Sequence, residues 1–171
     1  MERQSTLHFL CGKLGSGKTT LAKQIAAESD AVLFCEDVWL SGLFPGEIAT
    51  FADYLNRSAR FRSALAPHVR SLLGGGTSVV LDFAGNVPQE RAWARSLCDA
   101  DGVGVVLHYL NASDELCKSQ LHRRNQEQLD GSQATTDAEF DAITRYFVPP
   151  DPSEGFDVKE YEADRLHIAR A

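Results

Sequence analysis

The sequence predicts an α/β fold: a mostly parallel five-stranded sheet with helices on both faces. Three observations carry that expectation. Short strand-like runs alternate with helical segments in the order βαβααβαβααβ, which builds a parallel sheet covered on both sides. The run Thr77 to Phe83, reading TSVVLDF, is an unmistakable buried strand set off by Gly74-Gly75-Gly76. The chain has 171 residues, 43% hydrophobic and 24% charged, which fits one domain, 1–171, with a core of its own.

The elements follow in order. Leu7 to Cys11 is an apolar run that ends in a glycine-rich turn. Thr19 to Glu28 is helical, because Leu21, Ala22, Ile25 and Ala26 recur at helical spacing. Ala31 to Cys35 is the second strand, and a helix is expected to start near Trp39. From about Glu47 to Leu73, Phe51, Leu55, Ala59, Phe61, Leu65, Val69 and Leu72 return every three or four positions, with Pro67 expected to start or kink a helix. Pro88 opens a helix reaching about Ala100. Val103 to Leu110 is the fourth strand, and Ser113 caps a helix reaching about Arg124. Asn125 to Thr136 is polar and reads as a loop. Asp137 to Phe147 is helical until Pro149, Pro150 and Pro152 stop it, and Phe156 to Lys159 is a short last strand.

Composition excludes several classes. The formal net charge is −7, from 17 Lys and Arg against 24 Asp and Glu, which disfavours a long nucleic-acid partner. No apolar run approaches the ~20 residues that span a bilayer, so no membrane partner is expected. The polar start, Met1 to Thr6, leads into a run too short for a signal peptide core. Cys11, Cys35, Cys98 and Cys117 form no C-x-x-C pair, and reduced thiols in a cytoplasmic protein are expected. The five histidines, His8, His68, His108, His122 and His167, show no metal-ligand spacing and are read as structural or surface.

Chemistry concentrates where the first strand turns into its helix. Residues 12–19 read Gly-Lys-Leu-Gly-Ser-Gly-Lys-Thr and match G-x-x-x-x-G-K-[ST], with a strand before and an amphipathic helix after. Glycines let the backbone curl so that its N–H groups point at phosphate oxygens, and the helix adds its positive end. Gly12, Lys13, Leu14, Gly15, Ser16, Gly17, Lys18, Thr19 and Thr20 are therefore the expected nucleotide-binding residues. Lys18 would reach the β and γ phosphates, and the Thr19 hydroxyl would bind Mg²⁺. Asp82, at the end of Val79-Val80-Leu81-Asp82, is placed to share that metal.

A second acidic feature, Glu36-Asp37, follows the second strand directly. Asp37 could orient or deprotonate an attacking hydroxyl, and it could equally cap the helix near Trp39; the two roles are compatible. The segment about 38–73 carries Trp39, Phe44, Phe51, Tyr54, Arg57, Arg60 and Arg62, an aromatic and arginine surface suited to a small anionic or ring-bearing acceptor.

Together these residues resemble the P-loop kinase group and, more narrowly, the small bacterial zeta-toxin-like, AAA-type ATP-binding family, which is similar to polynucleotide 5′-hydroxyl kinases, chloramphenicol phosphotransferase and gluconate kinase. The resemblance runs from about Leu7 to Tyr161. It implies a P-loop NTPase three-layer sandwich with kinase-type strand order 2-3-1-4-5. It further implies ATP with Mg²⁺, a small hydroxylated acceptor, and Asp37 as acceptor base. In that family an Asp, then Asn, then Arg follow the third strand; here they are Asp82, Asn86 and Arg91, with Asn86 on the acceptor side beside Trp39 and Arg60. Arginines in the helix before a lid, here about 122–136, clamp the transferring phosphoryl; Arg124 matches the second of them, and Gln120 stands where the first is expected. The catalytic set implied is Lys18, Asp37 and Arg124. The activity implied is transfer of the γ-phosphoryl of Mg-ATP to a hydroxyl of a small molecule. The alternatives are an ATP-binding switch that transfers little, or a polynucleotide 5′-hydroxyl kinase. No N-K-x-D segment is present to read guanine.

Overall fold

The structure is a computed structural model in which residues 4–98, 102–127 and 134–164 are described. Among them five strands form one sheet: β1 (Thr6–Gly12), β2 (Val32–Cys35), β3 (Val79–Asp82), β4 (Gly104–Asn111) and β5 (Asp157–Glu162). Every ladder is parallel and the spatial order is β2-β3-β1-β4-β5, as expected. The helices are α1 (Lys18–Ser29), α2 (Glu36–Leu43), α3 (Phe51–Gly74), α4 (Pro88–Arg95), α5 (Asp114–Glu127) and α6 (Asp137–Thr144), with a 3-10 turn over Pro152–Glu154.

Alternation along β1 creates the layers. Leu7, Phe9 and Cys11 point to one face and are buried with Leu40 of α2, Phe61, Leu65 and Val69 of α3 and Ala94 of α4. Leu10 points to the other face and packs with Ala22 and Ile25 of α1 and Val80 of β3. Cys117 and Leu121 of α5 and Phe140 of α6 form a smaller third cluster, against which Leu14 rests. Because all strands run the same way, the turns that leave their carboxyl ends gather along one edge.

Several boundaries differ from the sequence expectation. α2 begins at Glu36, three residues before Trp39, since β2 passes into the helix with no intervening loop. Asp37 therefore lies in the first turn of α2, and the cap position belongs to Cys35. A separate start for α3 is set by a capping box, in which Thr50 and Asp53 satisfy each other's backbone N–H groups. Pro67 lies inside α3 rather than at its start. α4 ends at Arg95; Ala100 falls outside the described residues, as do 128–133 of the segment 122–136. β5 runs on to Glu162, three residues past Lys159, because Tyr161 continues the ladder opposite Leu110.

Two buried polar groups tie the layers together. Arg91 of α4 is fully buried and grips Glu154 with Nε at 2.6 Å and Nη2 at 2.7 Å. Its Nη1 donates to the carbonyls of Gly85 at 3.0 Å and Val148 at 2.9 Å. That one guanidinium holds the post-β3 turn and the connection into β5 in register. On the α1 face, His8 Nδ1 lies 3.0 Å from His108 Nε2, and His108 Nδ1 lies 2.8 Å from the Tyr161 hydroxyl. Burial, then the Lys159 charge, lowers the His8 pKa. Burial, then His8 and Lys159, pushes that of His108 down to about 4.

The pH dependence follows in sign. Below the ordinary histidine value of 6.5 the unfolded chain takes up protons that the folded imidazoles refuse, so stability is full above that value and is lost as pH falls toward about 4. Urea midpoints are expected to drop between about pH 7 and about pH 5, and the His8→Gln, His108→Gln double variant to lose most of that drop. An identical drop in the double variant would contradict the assignment.

Candidate active site

The loop between β1 and α1 is shaped by what its glycines permit. Gly15 has φ +78° and Gly17 has φ +99°, left-handed values that place the backbone in a curl. Gly15 also lies under α5: a Cβ there would meet the Cys117 carbonyl oxygen at 2.7 Å and Leu121 Cγ at 2.8 Å. At the end of this curl α1 starts with no side-chain cap and no acidic residue in its first turn. By contrast α2, α3, α4 and α6 all carry an acid in the first turn. The positive end of α1 is thus left uncompensated by the protein's own side chains, the electrostatic condition for an anion. The Ser16 hydroxyl, buried in the same loop, has no hydrogen-bond partner. A phosphate oxygen would satisfy both features.

Lys18 folds over the loop, its Nζ donating to the Gly12 carbonyl at 2.6 Å and the Lys13 carbonyl at 3.0 Å. Burial lowers its pKa, and the Asp82 charge is the largest influence acting the other way. Asn86 braces the loop from the side: its Oδ1 accepts from the Gly12 N–H at 3.1 Å. Lys13 turns away and binds Asp114 at 2.6 Å and the Ala112 carbonyl at 3.2 Å, so only its backbone faces the cradle. Thr20 is exposed in the first turn of α1.

Thr19 and Asp82 are brought together. The Thr19 hydroxyl donates to Asp82 Oδ2 at 2.7 Å, and the Cys35 thiol donates to the same oxygen at 3.2 Å. A hydroxyl and a carboxylate beside a phosphate cradle are hard oxygen donors of the kind Mg²⁺ takes one or two at a time, the remainder coming from water and phosphate. The donor set therefore fits that ion. The described residues contain no group of three or more His, Cys, Asp or Glu side chains able to hold a metal, so these two oxygens stand without a dedicated protein cage.

The acids that open α2 have opposite fates. Glu36 is buried at 2% exposure and fully committed. It receives the Tyr54 hydroxyl at 3.0 Å, the Ser58 hydroxyl at 2.5 Å, and Arg62 through Nε at 2.8 Å and Nη2 at 3.0 Å. Arg62 in turn lies 5.3 Å from the ring centroids of both Phe83 and Trp93. Asp37, one residue on, is exposed. Its pKa is nonetheless raised, first by desolvation, then by the charges of Glu36 and Asp82, with Lys18 and Arg124 opposing. A carboxylate less acidic than usual, close to the lysine of a phosphate loop, suits proton acceptance.

Beside Asp37 opens a cavity of about 320 Å³, lined by Asp37, Leu40, Ser41, Phe44, Pro45, Gly46, Ile48 and Tyr54. Trp39 is outside this lining, stacked on Phe61 at 5.5 Å and tilted against Phe34 at 6.0 Å, and Arg60 is exposed on α3. Arg124 is exposed on α5 and close enough to act on Asp37 electrostatically. Gln120, one turn earlier, places its Oε1 4.0 Å from where a Cβ on Gly17 would stand, directly at the loop. The sequence reading missed the Glu36 hub and the cavity wall at Leu40, Ser41, Pro45 and Ile48. The hub had a legible trace, since Tyr54, Ser58 and Arg62 recur every four residues and share one face of α3.

The comparisons with known proteins agree with this geometry. The family model described as "AAA domain" matches residues 7–150. A solved chain from Chloroflexus aurantiacus, provisionally assigned as a kinase, superposes with TM-score 0.72 at 17% identity, covering 99% of this chain and 96% of that one. A gluconokinase from Sinorhizobium meliloti superposes with TM-score 0.59 at 15% identity, covering 97% and 89%. Kti12 of Chaetomium thermophilum, solved with ADP-AlF3, does so with TM-score 0.61 at 16% identity, covering 96% and 99%. At such identities the likeness is one of fold, the P-loop kinase fold. No curated protein matches the chain.

Breaking the Glu36 hub has a calculable direction. Arg62→Ala leaves a buried carboxylate unpaired and is expected to lower unfolding stability by roughly 3–5 kcal/mol. Glu36→Gln with Arg62→Met, which removes both charges, is expected to recover most of it. Urea unfolding of both variants checks this, and a loss in the double variant as large as in Arg62→Ala would contradict it.

Proposed function

The chain belongs to the AAA-domain family, and on that premise we propose that it is an ATP-dependent phosphotransferase moving the γ-phosphoryl of Mg-ATP to a hydroxyl of a small molecule. The observation that carries this reading is the loop 12–19: left-handed glycines, a buried unpartnered Ser16 hydroxyl and an α1 start without an anionic cap. Main-chain N–H groups there would bind the phosphates of the nucleotide. Lys18 would exchange its two carbonyl partners for β and γ phosphate oxygens, and the loop is held in shape for this by Asn86 and α5. Thr19 and Asp82 would hold Mg²⁺, which when bound neutralises phosphate charge.

Asp37 is the proposed base. It would accept the proton of the acceptor hydroxyl as that oxygen attacks the γ-phosphorus, the ADP oxygen leaving on the opposite side. Arg124 would supply positive charge to the transferring group. Helices α2 and α3 form the acceptor side, with the cavity beside Asp37 receiving the acceptor. Trp39 and Arg60 are outer candidates on the same two helices, and Asn86 joins the acceptor side through its hold on Gly12. A cytoplasmic location is consistent with this chemistry, and no described helix is long and apolar enough to cross a membrane.

Gln120 favours a second reading, a nucleotide-binding switch with little transfer, because a neutral amide stands at Gly17 where the resemblance leads one to expect an arginine. Turnover separates the two. In the phosphotransferase reading Gln120→Arg raises kcat, and acceptor-stimulated ADP release is measurable in the wild type. In the switch reading Mg-ATP binds with no stimulated release.

Calorimetry is expected to show Mg-ATP binding that Lys18→Ala weakens strongly; absence of binding in the wild type contradicts the proposal. Asp37→Ala is expected to lower kcat roughly 10²–10⁴-fold with ATP binding retained. Since Asp37 acts deprotonated and its pKa is raised, kcat/KM falls with decreasing pH on a limb lying above the ordinary carboxylate value of 3.8, and Asp37→Ala abolishes that limb. A limb unchanged in the variant would remove Asp37 from the mechanism.

A further inference from the structure

The cavity beside Asp37 has a chemical character that narrows the acceptor. Its walls are the apolar or aromatic side chains of Leu40, Phe44, Pro45, Ile48 and Tyr54, and among the described residues its only charged lining group is Asp37. No lysine, arginine or histidine among the described residues lines it. Two arginines of α3, Arg57 and Arg62, are already committed. Arg57 lies 5.0 Å from the Phe44 ring centroid and pairs with Glu47 at 2.6 Å. Arg62 pairs with Glu36 on two nitrogens. The field within the lining is therefore set by the Asp37 carboxylate, with Lys18 and Arg124 acting on it from outside the lining. The Tyr54 ring forms a fixed wall, because its hydroxyl is anchored on buried Glu36 at 3.0 Å.

We propose that the acceptor is a small alcohol with an apolar body of about ring size and no negative charge, either neutral or bearing an amine, seated between α2 and the α2–α3 connection with its hydroxyl toward Asp37. This rests on the phosphotransferase reading and goes further by excluding anionic acceptors. A cavity of 320 Å³ is near the small end of ligand sites, which run about 300–1,000 Å³, so a single ring with a short arm fills it. An acceptor carrying a carboxylate or phosphate would lie near Asp37 with no cation free in the lining to pair it, and like-charge placement in a partly desolvated site is rejected. An amine would gain from the same field. The aromatic and arginine surface visible in the sequence thus resolves into an aromatic wall at Phe44 and Tyr54, with Arg57 and Arg62 paired to Glu47 and Glu36 and Arg60 exposed on α3.

Three probes of like size test this: para-hydroxyethylbenzamide, para-hydroxyethylbenzylamine and para-hydroxyethylbenzoate, neutral, cationic and anionic forms of one hydroxyethyl-bearing ring. Binding to the full chain with Mg-ADP present is read by ligand-observed NMR titration, and phosphoryl transfer from Mg-ATP by product detection. The neutral and cationic probes are expected to bind at least ~10-fold more tightly than the benzoate, about 1.4 kcal/mol. Ser41→Arg, which adds a cation to the lining, is expected to reverse that order while Mg-ADP affinity is retained. Tighter or equal binding of the benzoate to the wild type overturns the proposal, as does failure of all three probes to bind. Mg-ATP affinity measured alongside keeps the two claims apart. A chain that binds no nucleotide fails as a phosphotransferase, whereas one that binds Mg-ATP and prefers the benzoate fails only in acceptor class.

Discussion

A positive helix end that the protein leaves uncapped is the feature on which everything else in the molecule depends. α1 could have been stabilised by an acid in its first turn, as α2, α3, α4, α5 and α6 are. A suitable cap is worth about 1 kcal/mol, so its omission has a cost. The loop feeding α1 adds further cost, with two left-handed glycines and a buried hydroxyl lacking a partner. Such local losses persist where a ligand recovers them. The surrounding contacts then make sense as bracing: Asn86 on the Gly12 amide, α5 against Gly15, and Lys18 over the carbonyls hold the cradle in one shape.

The Glu36-Asp37 pair shows how one short sequence divides structural from chemical work. Two adjacent carboxylates at a helix start repel each other, and the fold resolves this by committing one. Glu36 is locked by Tyr54, Ser58 and Arg62 and joins α2 to α3. Asp37 is left exposed with its pKa raised. The lock also fixes Tyr54, which is a wall of the adjoining cavity. Stability of the acceptor side and the shape of its pocket therefore share one buried ion pair.

Much of this was legible in the sequence, for identifiable reasons. The parallel sheet and the phosphate loop followed from alternation of strands and helices and from a motif whose spacing is dictated by backbone geometry, while the strand order came from the resemblance to P-loop kinases. The Thr19–Asp82 contact was legible because Thr19 opens the helix that follows β1 and Asp82 ends the neighbouring strand β3. The Glu36 hub left only the four-residue spacing of Tyr54, Ser58 and Arg62 as a trace, because an acid after a strand looks the same whether it turns inward or outward. The start of α2 was misplaced because Cys35 at the cap position gives no side-chain signal. The cavity was invisible because its wall is made by the 44–48 turn, whose path depends on tertiary packing. The resemblance singled out Arg91, but nothing in the sequence showed that it is buried against Glu154.

The account's central claim is that main-chain amides of residues 12–20 enclose the phosphates of a nucleotide. Amide-resolved NMR of the full chain titrated with Mg-ATP, and in parallel with adenosine, tests it most directly. The account predicts large shifts of the Gly15, Ser16, Gly17 and Lys18 amides that require the phosphates and are absent with adenosine. Saturable Mg-ATP binding that leaves those amides unmoved would contradict it.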